Sequence, residues 1–218
     1  MKKELAEFIG TFFLVSAVVG SGIMAENLAL GNIAIALLGN TITTGSILFV
    51  LIKMFESVSG AHFNPAVSLV FLLKKELKPL LFFKYVGLQV LGGLCAILVV
   101  HFMFDMQLFQ ISSHAMRVEG APWSLFASEA IATAGLIMTI LFIRKNDKRY
   151  IAAGVALFIT AGYWFTSSTS FANPAVTIAR LFTDTFTGIS TISFPYFIFG
   201  QTIGCLIGLI VYQLFYRK

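Results

Sequence analysis

Apolar and polar positions alternate along the chain on a coarse scale: long apolar runs are separated by short gaps that hold most of the charge. The runs fall at about 5–25, 31–52, 80–104, 122–143, 150–169 and 194–216. Each is close to the roughly 20 residues a helix needs to cross a hydrocarbon core about 30 Å thick. The pattern predicts six membrane-spanning helices with both termini on one side. Two further apolar stretches, 64–73 and 173–182, reach only about half that length. They predict re-entrant half-helices, because non-helical backbone is tolerated at membrane depth only where protein or a wet cavity satisfies it. The expected fold class is an all-α membrane protein with six transmembrane helices and two half-helices.

Composition agrees and excludes a soluble enzyme. Of 218 residues, 58% are hydrophobic, 11% are charged and 23 are Phe; the mean hydropathy is +0.89, far from the soluble norm of about a quarter charged. A net charge of +5 would suggest a nucleic-acid partner in a soluble protein. Here the basic residues sit in the gaps between spans, so topology explains them and no nucleic acid is expected. With the N-terminus in the cytoplasm, Lys2, Lys3, Lys53, Lys74, Lys75, Lys78, Lys84, Arg144, Lys145, Lys148, Arg149, Arg217 and Lys218 lie inside. Only Arg117 and Arg180 lie outside, an asymmetry that predicts cytoplasmic termini. The first run carries Glu4 and Glu7 and no convincing cleavage site, so it reads as a retained helix rather than a signal peptide. Cys95 and Cys205 lie inside apolar runs and are assigned to packing.

The two halves carry the same marks in the same order. Glu7-Phe-Ile-Gly-Thr11 answers Glu129-Ala-Ile-Ala-Thr133, Asn64-Pro65-Ala66-Val67 answers Asn173-Pro174-Ala175-Val176, and Gln89-Val-Leu-Gly92 answers Gln201-Thr-Ile-Gly204. Three spans per half turn the second copy upside down, giving one membrane domain over 1–218 built from inverted repeats at about 1–105 and 120–218. Asn followed by Pro at the start of an apolar run is a helix N-terminus: the Asn oxygen caps a backbone N–H and Pro suits the first helical position. Inverted symmetry points the two half-helices at each other, leaving the amide groups of Asn64 and Asn173 free to donate into the space between. Two facing N-termini, each carrying about +0.5 charge, disfavour cations at the midplane. A water held by both amides is poorly placed to relay a proton, so the expectation is a passive pore for uncharged solutes.

The run Ser59-Gly60-Ala61-His62-Phe63-Asn64-Pro65-Ala66-Val67 resembles the first pore-loop signature of the aquaporin (major intrinsic protein) family, and the resemblance covers nearly the whole chain. It implies the aquaporin fold, one pore per subunit, a homotetramer in the lipid bilayer and no cofactor. The second signature departs from the pattern: where the family usually places an arginine, three residues after the second motif Asn, this chain has Val176. Gap-free counting carries the other filter positions to Thr44, Ala161 and Ser170. All four are small, which implies a filter wide enough for glycerol, urea or hydroxylated metalloids as well as water. The stretch Ser170–Arg180 also resembles a bacterial branch with an aliphatic filter residue that is associated with arsenite passage, which implies the inner membrane of a bacterium.

Arg180, the glutamates and His62 each carry two readings. Arg180 lies one turn beyond Val176 and one turn before Asp184. The favoured reading pairs it with Asp184 at a solvated helix end; the alternative places it in the outer vestibule, disfavouring cations. Glu7 and Glu129 are buried carboxylates, read as structural acceptors for the pore loops in preference to a proton relay. His62 is read as a pore-lining anchor, although imidazole titration makes a pH gate conceivable. His101 and His114 match no metal-ligand spacing and are read as incidental. Trp123, Tyr163 and Trp164 are read as interfacial belt residues, and Gly92, Gly93, Gly204 and Gly208 as close helix crossings. No nucleophile–base pair or metal-ligand cluster appears, so no enzyme is expected. The alternatives to a wide facilitator are a water-selective aquaporin and an ion-coupled secondary transporter.

Overall fold

The structure, a computed structural model, describes residues 1–114 and 122–216. Arg117, Arg217 and Lys218 of the charge division, and residues 115–121 of the long outer loop, lie outside the described residues. The described residues form α1 (Lys2–Leu28), α2 (Ile33–Phe55), α3 (Pro65–Leu73), α4 (Pro79–Met103), α5 (Pro122–Asp147), α6 (Ile151–Phe165), α7 (Pro174–Arg180) and α8 (Phe194–Tyr216). A single 3-10 turn, Lys148–Tyr150, joins α5 to α6. The helical run Pro122–Phe165 spans 44 residues, far more than one bilayer crossing needs. It folds back at that turn, and α5 and α6 pack against each other.

Three of the eight helices begin with a capping asparagine. Asn32 accepts from Ala34 N and Ile35 N, Asn64 from Ala66 N, and Asn173 from Ala175 N and Val176 N. Pro65 and Pro174 occupy the first helical positions, where a missing N–H costs nothing. The fifth apolar run ends earlier than its hydropathy suggests. Thr166 turns its hydroxyl and its backbone N–H onto Gly162 O and closes α6 at Phe165; α7 likewise stops at Arg180, short of the expected 182.

Packing pairs exchange under the substitution of α5–α8 for α1–α4. Helix α1 packs on α4 as α5 does on α8, α1 on α2 as α5 on α6, and α3 on α8 as α7 on α4. At the α1–α4 and α5–α8 crossings a glycine lets backbones touch: a Cβ on Gly92 would collide with the Phe8 carbonyl, and one on Gly204 with the Ala130 carbonyl. The half-helices α3 and α7 meet at their N-terminal ends inside this frame. Apolar side chains such as Phe83, Phe102, Leu157 and Phe199 remain exposed around the outside, as a lipid-facing surface requires.

Candidate functional site: a cavity through the half-helix junction

The segments preceding α3 and α7 are built alike. Ala61 and Phe63 in the first, and Ser170 and Ala172 in the second, hold left-handed φ values of 51°, 48°, 52° and 48°, a conformation that non-glycine residues rarely adopt. A buried carboxylate holds each one there. Glu7 accepts from Ser59 Oγ (2.6 Å), His62 N (3.0 Å), Phe63 N (2.6 Å) and Gln89 Nε2 (2.7 Å). Glu129 accepts from Ser168 Oγ (2.5 Å), Phe171 N (2.9 Å), Ala172 N (2.8 Å) and Gln201 Nε2 (2.7 Å). Both carboxylates are fully buried and neither forms part of the cavity wall. That geometry satisfies loop backbone where water is scarce, and gives a proton relay no path. The glutamines, which occupy matched positions of the repeat, reach further, to Ser68 Oγ and Thr177 Oγ1 on the half-helices.

At the junction each asparagine does two jobs. Asn64 Oδ1 caps α3 while its Nδ2 donates to Ala172 O at 2.7 Å; Asn173 Oδ1 caps α7 while its Nδ2 donates to Phe63 O at 2.8 Å. The expectation of wholly free amide groups is corrected here. One of the two hydrogens on each nitrogen fastens the opposite loop, and one remains.

A cavity of about 460 Å³ runs past both asparagines. Its wall starts at the basic end of the bundle with Lys53, Arg144 and Lys148, passes His62, Asn64 and Asn173, and reaches Tyr163 and Arg180 in the opposite half. Thr44, Ser170 and Val176 all line it. Ala161 does not: it lies on the exposed face of α6. The wall takes Ile151, Val155, Ile159 and Tyr163 from that helix, a four-residue spacing. Position 161 lies about 200° around the helix from 163, so counting back from Asn173 lands on the wrong face.

Tyr163 is therefore the residue that sequence reasoning missed. It is 4% exposed, not an interfacial belt residue, whereas Trp123 and Trp164 are 70% and 51% exposed. Its hydroxyl meets Thr44 Oγ1 at 3.0 Å. The signal that finds it is the helix face shared with Ile151, Val155 and Ile159. Gly162 beside it leaves room for Ser170, whose Oγ would lie 2.5 Å from a Cβ there.

Arg180 overturns the favoured pairing. Asp184 instead accepts from Ser113 N (2.8 Å) and Ser113 Oγ (3.0 Å). Arg180 is buried, donates from Nε to Thr187 O, and lays its guanidinium over the Phe171 ring, 3.4 Å from the centroid. At the other end His62 Nδ1 lies 3.0 Å from Ser68 Oγ, and its ring stacks on Phe71 at 4.6 Å. Arg144 covers the same Phe71 ring and bonds Glu76 at 2.5 Å. His101 is not incidental: Nε2 meets Thr183 Oγ1 at 2.9 Å and Nδ1 meets Leu108 O at 3.0 Å, tying α4 to the loop after α7.

Known proteins share this architecture and sequence. The profile of the family described as "Major intrinsic protein" matches residues 1–165. An aquaglyceroporin, AqpS of Rhizobium meliloti (strain 1021), is 46% identical over 208 residues, 95% of this chain and 87% of that one. The aquaporin AqpM of Methanothermobacter thermautotrophicus is 27% identical, with 97% and 96% of the two chains covered. In fold, the aquaglyceroporin of Plasmodium falciparum superposes with a TM-score of 0.76 at 22% identity, covering 100% of this chain and 95% of that one. With an all-helical bundle, two half-helices meeting in its middle and a cavity past their junction, the chain belongs to the major intrinsic protein family: it is an integral membrane protein, a passive channel for small uncharged solutes and not an enzyme.

Proposed function

We propose that the channel conducts glycerol and similarly sized neutral hydroxylated molecules, including urea and arsenous acid, together with water. The observation that carries this reading is the cavity wall around Thr44, Ser170 and Val176: two hydroxyl-bearing side chains and an aliphatic one share it, a surface suited to a solute with one polar and one hydrocarbon edge. The 46% identity to an aquaglyceroporin supports it. Asn64 and Asn173, with Pro65, Ala66, Pro174 and Ala175 setting the helix starts, form the central constriction, each amide offering its remaining N–H to a passing oxygen. His62 anchors the inner wall. Tyr163 stands where Ala161 was expected and narrows the outer constriction from one side, which favours a second reading, a pore restricted to water.

The charge asymmetry supports a cytoplasmic position for the basic end and both termini. The resemblance to a bacterial relative supports a bacterial inner membrane, and the exposed apolar exterior supports packing against lipid and sister subunits in a homotetramer.

Stopped-flow light scattering on proteoliposomes tests the choice. Glycerol and arsenous acid shrinkage–reswelling clearly faster than in empty liposomes is expected, and water flux alone would select the second reading. Val176→Arg, which adds a long cation to the same wall, is expected to lower glycerol flux by about tenfold or more while water flux persists. Unchanged glycerol flux in that variant would remove Val176 from the filter.

A further inference from the structure

The charge of the outer constriction has a candidate source in the turn beyond Val176. Four helical residues advance about 6 Å, so Arg180 presents a guanidinium to the same cavity one turn outward of Val176. Its surroundings hold it without a direct ion pair. Phe171 supports the planar group from below, the Thr187 carbonyl takes Nε, and among the described residues no carboxylate pairs with it. Asp184, the carboxylate one turn away, is occupied by Ser113.

The two terminal guanidinium nitrogens make no hydrogen bond to the described protein, yet they are not among the buried polar atoms that lack a partner. They keep access to the cavity that Arg180 lines. Nearby, Ser170 is 1% exposed and its Oγ is buried without a protein partner, on the same cavity wall as Val176 and Phe171. An unpaired cation and an unpartnered hydroxyl thus stand in an otherwise largely apolar stretch. A neutral molecule with hydroxyl oxygens can accept from the guanidinium, whereas a cation or a hydronium ion meets a like charge.

We propose that Arg180 is the selectivity cation of this pore, supplied from one turn outside Val176. It excludes cations and protons and donates to the hydroxyl oxygens of the neutral solutes named above. This deepens the channel reading and rests on it.

The test is proton leak in proteoliposomes, read by an entrapped pH dye under a valinomycin-set potassium potential, with water flux measured on the same vesicles. Arg180→Gln and the apolar Arg180→Met both remove the charge. Either is expected to raise the proton leak by about tenfold or more while conducting water. Arg180→Lys keeps the charge and is expected to stay near the native level. An unchanged leak in a water-conducting Gln or Met variant overturns the proposal, and so does a Lys variant that leaks as they do. Glycerol flux through the native protein is decided separately, so failure of the solute reading and failure of the Arg180 assignment are distinguishable.

Discussion

Glu129 concentrates four donors on two oxygens, and two of those donors are backbone N–H groups of a loop in left-handed conformation. Removing the carboxylate leaves Phe171 N and Ala172 N unsatisfied in a buried site, at about 1–3 kcal/mol each. Glu129→Ala is therefore expected to lose roughly 2–6 kcal/mol of stability, measured as a large drop in melting temperature in detergent. Glu129→Gln keeps one acceptor but turns an NH2 toward donors, and is expected to fall between. A Glu129→Ala protein melting with the native one would mean that other contacts hold the loop. These carboxylates were legible in the sequence because they recur at matched positions of the two halves. Tyr163 was not, because a bulky aromatic near a predicted helix end satisfies both the interfacial and the pore-lining reading. Only its helix face, set by Ile151, Val155 and Ile159, decides between them. Arg180 was misread for a related reason: helical spacing offers Asp184 as a partner, and the loop carrying Ser113 arrives from more than 70 positions away to take it.

Between elements, the basic end of the bundle holds a latch that sequence spacing does not reveal. Arg144 at the end of α5 crosses to Glu76 in the α3–α4 connection and covers Phe71 on the way; Lys74 approaches the same carboxylate at 3.3 Å. Partial burial pushes the Glu76 carboxyl up, but the Arg144 hydrogen bond and charge, with Lys74, hold it below the usual carboxylate range. A depressed folded pKa means the latch stabilises above the unfolded value and is lost as pH falls through the folded one. As pH falls through and below the usual carboxylate range, the melting temperature is expected to drop by more in the native protein than in Glu76→Gln, where the acid-sensitive part is already gone. Equal acid sensitivity in the two would show that other groups carry it. The long helices themselves were readable from hydropathy alone. Their ends were not, since α6 stops where the Thr166 hydroxyl turns back on Gly162, a local hydrogen bond that a hydropathy profile does not register.

For the whole molecule, contacts exchange between the two halves down to the carboxylate, glutamine and asparagine of each. Orientation rests on the distribution of Lys and Arg. A fluorescent-protein fusion to the C-terminus, which lights up only in the cytoplasm, is expected to fluoresce, and an alkaline phosphatase fusion there to be inactive; the reverse would invert the molecule. The crossed asparagines carry a consequence for how the channel is made. Asn64 reaches a carbonyl 108 positions later, and Asn173 one 110 positions earlier. At a ribosomal rate of about 5–20 residues per second, the first half waits roughly 5–20 s in the membrane before its partner emerges. During that interval the Phe63 carbonyl and one Asn64 hydrogen have no mate, and the half-helix lacks the surface that holds it. A half-made chain therefore has no lined passage to leak through: the act that completes the scaffold is the act that creates the pore.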